Sequence, residues 1–282
     1  MLVHGFGEEG TVWSRQIEFL KGKFHLIVPD LPGSGQSEMI EDMSVEGMAE
    51  VLHAIIHEEW PPQTPPKEGL ANTQNQHNEN SSQEINSKLS ESSKNPQPVG
   101  GAGGACTVIG HSMGGYITLA LTEKYWNHLT AFGLVHSTAF ADSEEKKSVR
   151  KKGIEFIKQH GAFEFLKTTT PNLFSPNSKL QMQDSIDAFI SSLKGFSAEA
   201  LIAYYYAMMN RPDRTEVLKH TNLPVLFIAG EYDNAVPISD VLKQCYLPEK
   251  SYFHTLINSG HMGMMEEMEK TNLLLEKFLS GN

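Results

Sequence analysis

Short apolar runs of strand type alternate with helical patterns along most of this chain, and one joint between them is very sharp. Thr107-Val108-Ile109 passes directly into Gly110-His111-Ser112-Met113-Gly114-Gly115, and residues 116–126 then follow a helical period. Ahead of that joint, Leu2-Val3 reads as the end of a strand. Val12, Trp13, Ile17 and Leu20 fall on one helix face, and residues 24–28 (Phe-His-Leu-Ile-Val) read as a second strand. Met48, Val51, Leu52, Ile55 and Ile56 follow the spacing of an amphipathic helix. Beyond the joint, residues 129–135, 225–229 and 251–256 are strand-like. Residues 239–245 and 266–279 are helical. Such alternation predicts an α/β fold, with a mostly parallel sheet between layers of helices.

Two stretches break the alternation. From about residue 143 to 220 only helical patterns occur, among them 151–160, 179–193 and 198–210, which predicts a helical insertion. Residues 61–105 are rich in Pro, Gln, Asn, Ser, Glu and Lys and end in Gly100-Gly101-Ala102-Gly103-Gly104. That composition offers too little apolar surface to offset about 1–2 kcal/mol per residue of backbone ordering, so a disordered surface insertion is expected. The organisation is therefore a core of residues 1–139 and 221–282, interrupted by 61–105, with a helical block over 140–220.

Bulk properties remove several function classes. Asp and Glu number 34 against 23 Lys and Arg, a net charge of −11, whereas nucleic acid or an anionic membrane calls for clustered positive charge. No run approaches the ~18 apolar residues of a membrane span, and Met1-Leu2-Val3-His4 lacks the basic region and apolar stretch of a signal peptide. The two cysteines, Cys106 and Cys245, are expected to be free thiols, in keeping with a reducing, cytoplasmic setting. Oligomeric state is not encoded in any of these features.

A serine hydroxyl needs a base, a group orienting the base, and donors for the developing oxyanion. Ser112 sits in a Gly-x-Ser-x-Gly pattern between a strand and a helix, the setting in which a tight turn exposes a nucleophile. The same residues also suit a plain strand–turn–helix joint capped by Ser112, so the flanking runs carry the functional reading. Glu231 and Asp233 compete as the acid in the loop after strand 225–229. His261, in Ser259-Gly260-His261-Met262-Gly263 beyond the last strand, is the base candidate; His254 is its rival but lies within the strand pattern. The backbone N–H groups of Met113 and of Phe6, in His4-Gly5-Phe6-Gly7, would form the oxyanion hole. His4 reads as a brace for that loop rather than as a second base. No cluster has metal-ligand spacing, so neither metal nor cofactor is expected.

In these residues the chain resembles the α/β-hydrolase superfamily, specifically its esterase- and lyase-like branch with a Gly-His-Ser-Met-Gly-Gly elbow. The motifs are His4-Gly5-Phe6-Gly7, Asp30-Leu31-Pro32-Gly33-Ser34-Gly35-Gln36-Ser37, the elbow, residues 230–237 and residues 259–263. The resemblance implies Ser112 as nucleophile, Asp233 as acid and His261 as base. It also implies that residues around 140–220 cap the site, with Leu201, Tyr204, Tyr205 and Met208 among possible lining residues. Two departures stand out. One or two strands precede the His-Gly loop in such proteins, so strand 24–28 would become an exposed apolar edge unless something covers it, or unless the chain starts inside its true fold. The second is the 61–105 insertion, expected on the sheet edge away from the site.

The expected chemistry is hydrolysis of a carboxylic ester of a small to medium, mostly apolar substrate through an acyl-enzyme on Ser112. Cleavage of a carbon–carbon bond, or a lyase reaction, on the same triad is the alternative within enzymology. A non-catalytic binding protein of this fold is the alternative outside it.

Overall fold

The computed structural model describes residues 1–59 and 106–281, so the expectation of a disordered 61–105 insertion lies outside the described residues. Five strands form one parallel sheet in sequential order: β1 (Leu2–Val3), β2 (Cys106–His111), β3 (Leu129–Val135), β4 (Val225–Gly230) and β5 (Ser251–Leu256). The apolar runs serve both sheet faces, which is why they read as continuous rather than alternating. Val108, Phe132, Leu134, Val225 and Phe227 point into one core; Ile109, Ala131, Val135, Leu226 and Ile228 point into the other.

Helices α2 (Val45–Glu59) and α3 (Met113–Tyr125) close the first core, whereas α1 (Ser14–Leu20) and α12 (Met268–Ser280) close the second. Between β3 and β4 the chain is helical throughout, in α4 (Glu144–His160), α5 (Ala162–Thr169), α6 (Pro176–Gln181), α7 (Gln183–Ser192), α8 (Ala198–Asn210) and α9 (Thr215–His220). Short helices α10 (Ile238–Leu242) and α11 (Gly263–Glu266) follow β4 and β5. Cys106 and Cys245 are free thiols. No described helix is long and apolar enough to cross a membrane.

One predicted strand is absent. Residues 24–28 run beside β1 but form no ladder, joined to it by a single backbone bond from Leu2 N to Ile27 O (2.9 Å). The cause is the shortness of β1, which turns into the His4–Gly7 loop after two residues and offers little to pair with. Their side chains still alternate, Phe24, Leu26 and Val28 toward one core and Ile27 toward the other, so the edge is half-buried rather than bare.

Candidate active site

Every site loop leaves the C-terminal end of a strand, the edge where parallel sheets gather ligand-binding loops. At the end of β2 the chain reverses into α3 at Ser112, whose φ of 50° and ψ of −116° lie where a non-glycine residue is strained by about 1–3 kcal/mol. Glycines make the turn possible: a Cβ on Gly110 would strike the Gly114 backbone, and one on Gly114 would sit 2.5 Å from the His4 carbonyl oxygen. The Ser112 hydroxyl caps nothing, which removes the helix-cap reading of this residue.

Asp233 and His261 meet across the sheet end. His261 Nδ1 donates to Asp233 Oδ2 at 2.8 Å, leaving Nε2 without a partner among the described residues. Asp233 Oδ1 accepts the Ala235 and Val236 amides at 2.9 and 2.8 Å, which fixes the carboxylate in its turn. Burial alone would raise the Asp233 pKa, but the His261 charge and the bonds from His136 and His261 hold it well below the usual carboxylate range. Burial likewise pushes His261 down, and the Asp233 charge more than reverses it, so its pKa ends above the ordinary value. Glu231 is exposed and makes no such contact, and His254 stays within β5.

The loop of His261 is pinned from outside. Glu266 Oε1 accepts the Gly260 and Met262 amides at 2.9 and 3.1 Å, and its Oε2 accepts the Ser175 amide at 2.8 Å. The His261 amide donates to the Leu173 carbonyl at 2.6 Å. Loop 259–263 is thereby tied to the helical block as well as to α11.

Three partners escaped the sequence reading. His136, at φ 50° just beyond β3, donates from Nδ1 to Asp233 Oδ2 at 3.1 Å and accepts the Gly263 amide on Nε2 at 3.2 Å. Burial lowers its pKa and keeps it neutral. His136, Asp233 and His261 bring potential metal-ligand atoms within 4.8 Å of one another, a cluster invisible in the spacing. Both Nδ1 atoms are committed to the carboxylate, so these groups already satisfy one another. Position at a strand's C-terminal end is the one signal that singles out His136.

The second and third are Glu8 and the elbow residue His111. Glu8 Oε2 accepts the Gly5 amide at 2.7 Å and lies 2.9 Å from His111 Nδ1, while His111 Nε2 donates to the His261 carbonyl at 3.0 Å. Burial would raise the Glu8 pKa, but the His111 charge and hydrogen bond bring it below normal. Glu8 thus links the His4–Gly7 loop, the elbow and, through His111, the loop of His261.

His4 has no free nitrogen for base chemistry. Its Nδ1 donates to the Gly5 carbonyl (2.9 Å), and its Nε2 accepts the Leu31 amide (2.9 Å) with Ser34 Oγ at 2.9 Å. It braces the loop of Phe6 against the 30–37 motif. The Phe6 and Met113 amides donate to no other described residue, which leaves both available to a ligand.

Ser112, His261 and Phe6 line one cavity of about 400 Å³, within the range of small-molecule sites. Its remaining wall comes mainly from the helical block, including Arg150, Phe165, Leu173, Tyr205 and Met208. Of the four α8 residues whose helical spacing suits either site lining or cap core, Tyr205 and Met208 face the cavity. Leu201 and Tyr204 do not: both are core, and the Tyr204 hydroxyl donates to the Pro32 carbonyl at 2.6 Å.

Comparison with known proteins agrees with this architecture. Lipase 1 of Psychrobacter immobilis is 25% identical over 280 residues, covering 96% of this chain and 73% of that protein. A pimeloyl-[acyl-carrier protein] methyl ester esterase of Methylococcus capsulatus is 41% identical, but over only 56 residues, 20% of this chain and 22% of its own. Among solved structures, a thermophilic esterase from Thermogutta terrifontis with malate bound superposes at a TM-score of 0.79, with 25% identity, covering 99% of this chain and 88% of that one. The sequence profile of the alpha/beta hydrolase family matches residues 1–272, and with this fold and its lipase and esterase relatives, the chain belongs to that family.

Proposed function

We propose that the protein hydrolyses carboxylic esters through an acyl-enzyme on Ser112, with residues 140–220 serving as the cap over the site. One observation carries the reading: Ser112, on its strained elbow, shares a cavity with a buried His261 whose Nδ1 is committed to Asp233 and whose Nε2 is free. Ser112 Oγ attacks the ester carbonyl carbon while His261 Nε2 takes its proton, and Asp233 stabilises the imidazolium that forms. The negative oxygen of the tetrahedral intermediate faces the Phe6 and Met113 amides, the second at the N-terminus of α3. Collapse expels the alcohol, which receives the proton from His261. Water, deprotonated by the same nitrogen, then releases the acid. The apolar share of the cavity wall suits a small to medium substrate.

A fluorophosphonate probe tests the assignment. Wild type is expected to label, and Ser112→Ala to lose labelling together with at least about 10⁴-fold of kcat on short p-nitrophenyl esters. Wild-type turnover rates in a folded Ser112→Ala variant would remove Ser112 from the mechanism. An unlabelled wild type, beside a control hydrolase that labels, would sink the enzyme reading.

A further inference from the structure

The cavity is mostly apolar, yet Glu8, Glu145, Lys146 and Arg150 also line it. Three of these have local answers. Glu8 is matched by His111 at 2.9 Å. Glu145 and Lys146 lie at the start of α4, where Glu145 is exposed to solvent and Lys146 Nζ donates to the Ala235 carbonyl at 3.5 Å.

Arg150 differs. Asp142, whose side chain is fully buried, is shared by two guanidinium groups: Arg150 donates from Nε to Oδ2 and from Nη2 to Oδ1 (3.2 Å), and Arg211 Nη1 donates to Oδ1 at 2.8 Å. Two cations on one carboxylate leave one positive charge over. Arg211 faces inward, its Nη atoms donating to the Met208 and Phe140 carbonyls at 2.6 and 2.9 Å and its guanidinium lying 3.8 Å over the Tyr116 ring. Its side chain is 3% exposed, against 18% for Arg150. Arg211 Nε also lacks an acceptor but is sealed from solvent, whereas Arg150, whose Nη1 has no acceptor among the described residues, lines the cavity, so the surplus charge faces the cavity at Arg150. The Tyr205 ring lies between this guanidinium, 5.6 Å away, and Phe6, on which it stacks at 4.4 Å, so one aromatic ring separates the cation from the loop that would hold the oxyanion.

We propose that this cavity takes an ester whose non-reacting end carries one carboxylate, held by the Arg150 guanidinium. The inference rests on the reading that Ser112 cleaves esters. A partly desolvated cation beside apolar walls is stabilised by an anion, and the planar fork of arginine matches a carboxylate. One surplus charge fits a monoanion better than a phosphate dianion. Monoesters of dicarboxylic acids are the substrate class this selects.

The test compares two series at neutral pH: monomethyl esters of dicarboxylic acids of increasing length, and the same esters with the free carboxylate replaced by a carboxamide. At the best length, wild-type kcat/KM is expected to be at least about tenfold higher for the carboxylate ester, the discrimination of one charge-assisted hydrogen bond. Arg150→Met should bring that ratio near one, and Arg150→Lys should keep part of it. Because the readout is a ratio within each protein, a general loss of activity does not imitate the result. Arg211 still pairs with Asp142 in both variants; should Arg150→Met nevertheless unfold, the wild-type ratio and Arg150→Lys decide. A wild-type ratio of one or less at every length, or a ratio untouched by Arg150→Met, overturns the carboxylate site while neutral esters still turn over. Failure to turn over either series removes the ester reading itself, and this proposal with it.

Discussion

Two buried carboxylate–imidazole pairs flank Ser112, and they are built for opposite ends. In Asp233–His261 the carboxylate takes Nδ1 at 2.8 Å, and the second ring nitrogen is left toward the cavity. In Glu8–His111 the carboxylate takes Nδ1 at 2.9 Å, but Nε2 is spent on the His261 carbonyl at 3.0 Å. The chemistry of the components is the same. In the proposed mechanism, what separates a proton carrier from a strut is whether one nitrogen remains unengaged. The strut has its own task, since its carboxylate also holds the Gly5 amide and through it the loop of Phe6. His111 lies within hydrogen-bond reach of the Glu8 carboxylate, so that acid is partnered beside the loop of Phe6.

The sharpest attempt to break this comparison is Asp233→Asn. An amide cannot be relied on to hold His261 in the tautomer that leaves Nε2 free, and it cannot offset the imidazolium charge. The variant should lose about 10⁴-fold in kcat on short esters, measured beside its melting curve to separate chemistry from folding. Glu8→Gln should cost less activity and more of the fold. Gln can still accept from Gly5 but pairs with His111 Nδ1 less strongly than a carboxylate, so about 1–3 kcal/mol of stability is expected to go in denaturant titration. Its kcat should fall about ten- to a hundredfold, below the loss from deleting an oxyanion donor outright. Equal kcat losses in the two variants would erase the distinction between carrier and strut.

The two pairs were not equally legible. Asp233 follows a strand recognisable from its apolar run, His261 follows the more polar last strand, and chain order places both after the Ser112 elbow. The inner strands β2, β3 and β4 could be read because they are buried on both faces. Glu8 and His111 are separated by 103 positions and Asp233 and His136 by 97, so no local pattern announces either contact. The sharing of Asp142 by Arg150 and Arg211 is hidden for the same reason, within a helical block whose period reports buried faces but not their partners. That period also merged α6 and α7, which the chain separates at Met182. Residues 24–28 show the converse error, since a strand-like pattern needs a neighbour long enough to pair with.

The most delicate test is the pH profile. Burial favours neutral His261, but Asp233 outweighs it, with Glu8 and Glu266 adding in the same sense, and the pKa ends above the ordinary 6.5. A general base works in its neutral form, so kcat/KM should fall as pH drops through that raised value, placing the acid limb above 6.5. In Asp233→Asn the residual activity should have its limb lowered, because burial then acts with its main opponent gone. Glu8→Gln should move the limb far less, since His111 already answers the Glu8 charge; a shift as large as that of Asp233→Asn would make the strut part of the proton machinery. Stability runs the other way. A group whose folded pKa is raised contributes stabilisation that is complete below its unfolded pKa and lost as pH rises through the folded one. The melting-temperature advantage of wild type over His261→Gln should therefore shrink from about pH 6.5 upward, across the same window in which activity rises. A gap that stayed constant there would mean that His261 does not hold its proton more tightly in the folded protein, and the contrast with His111 would then rest on geometry alone.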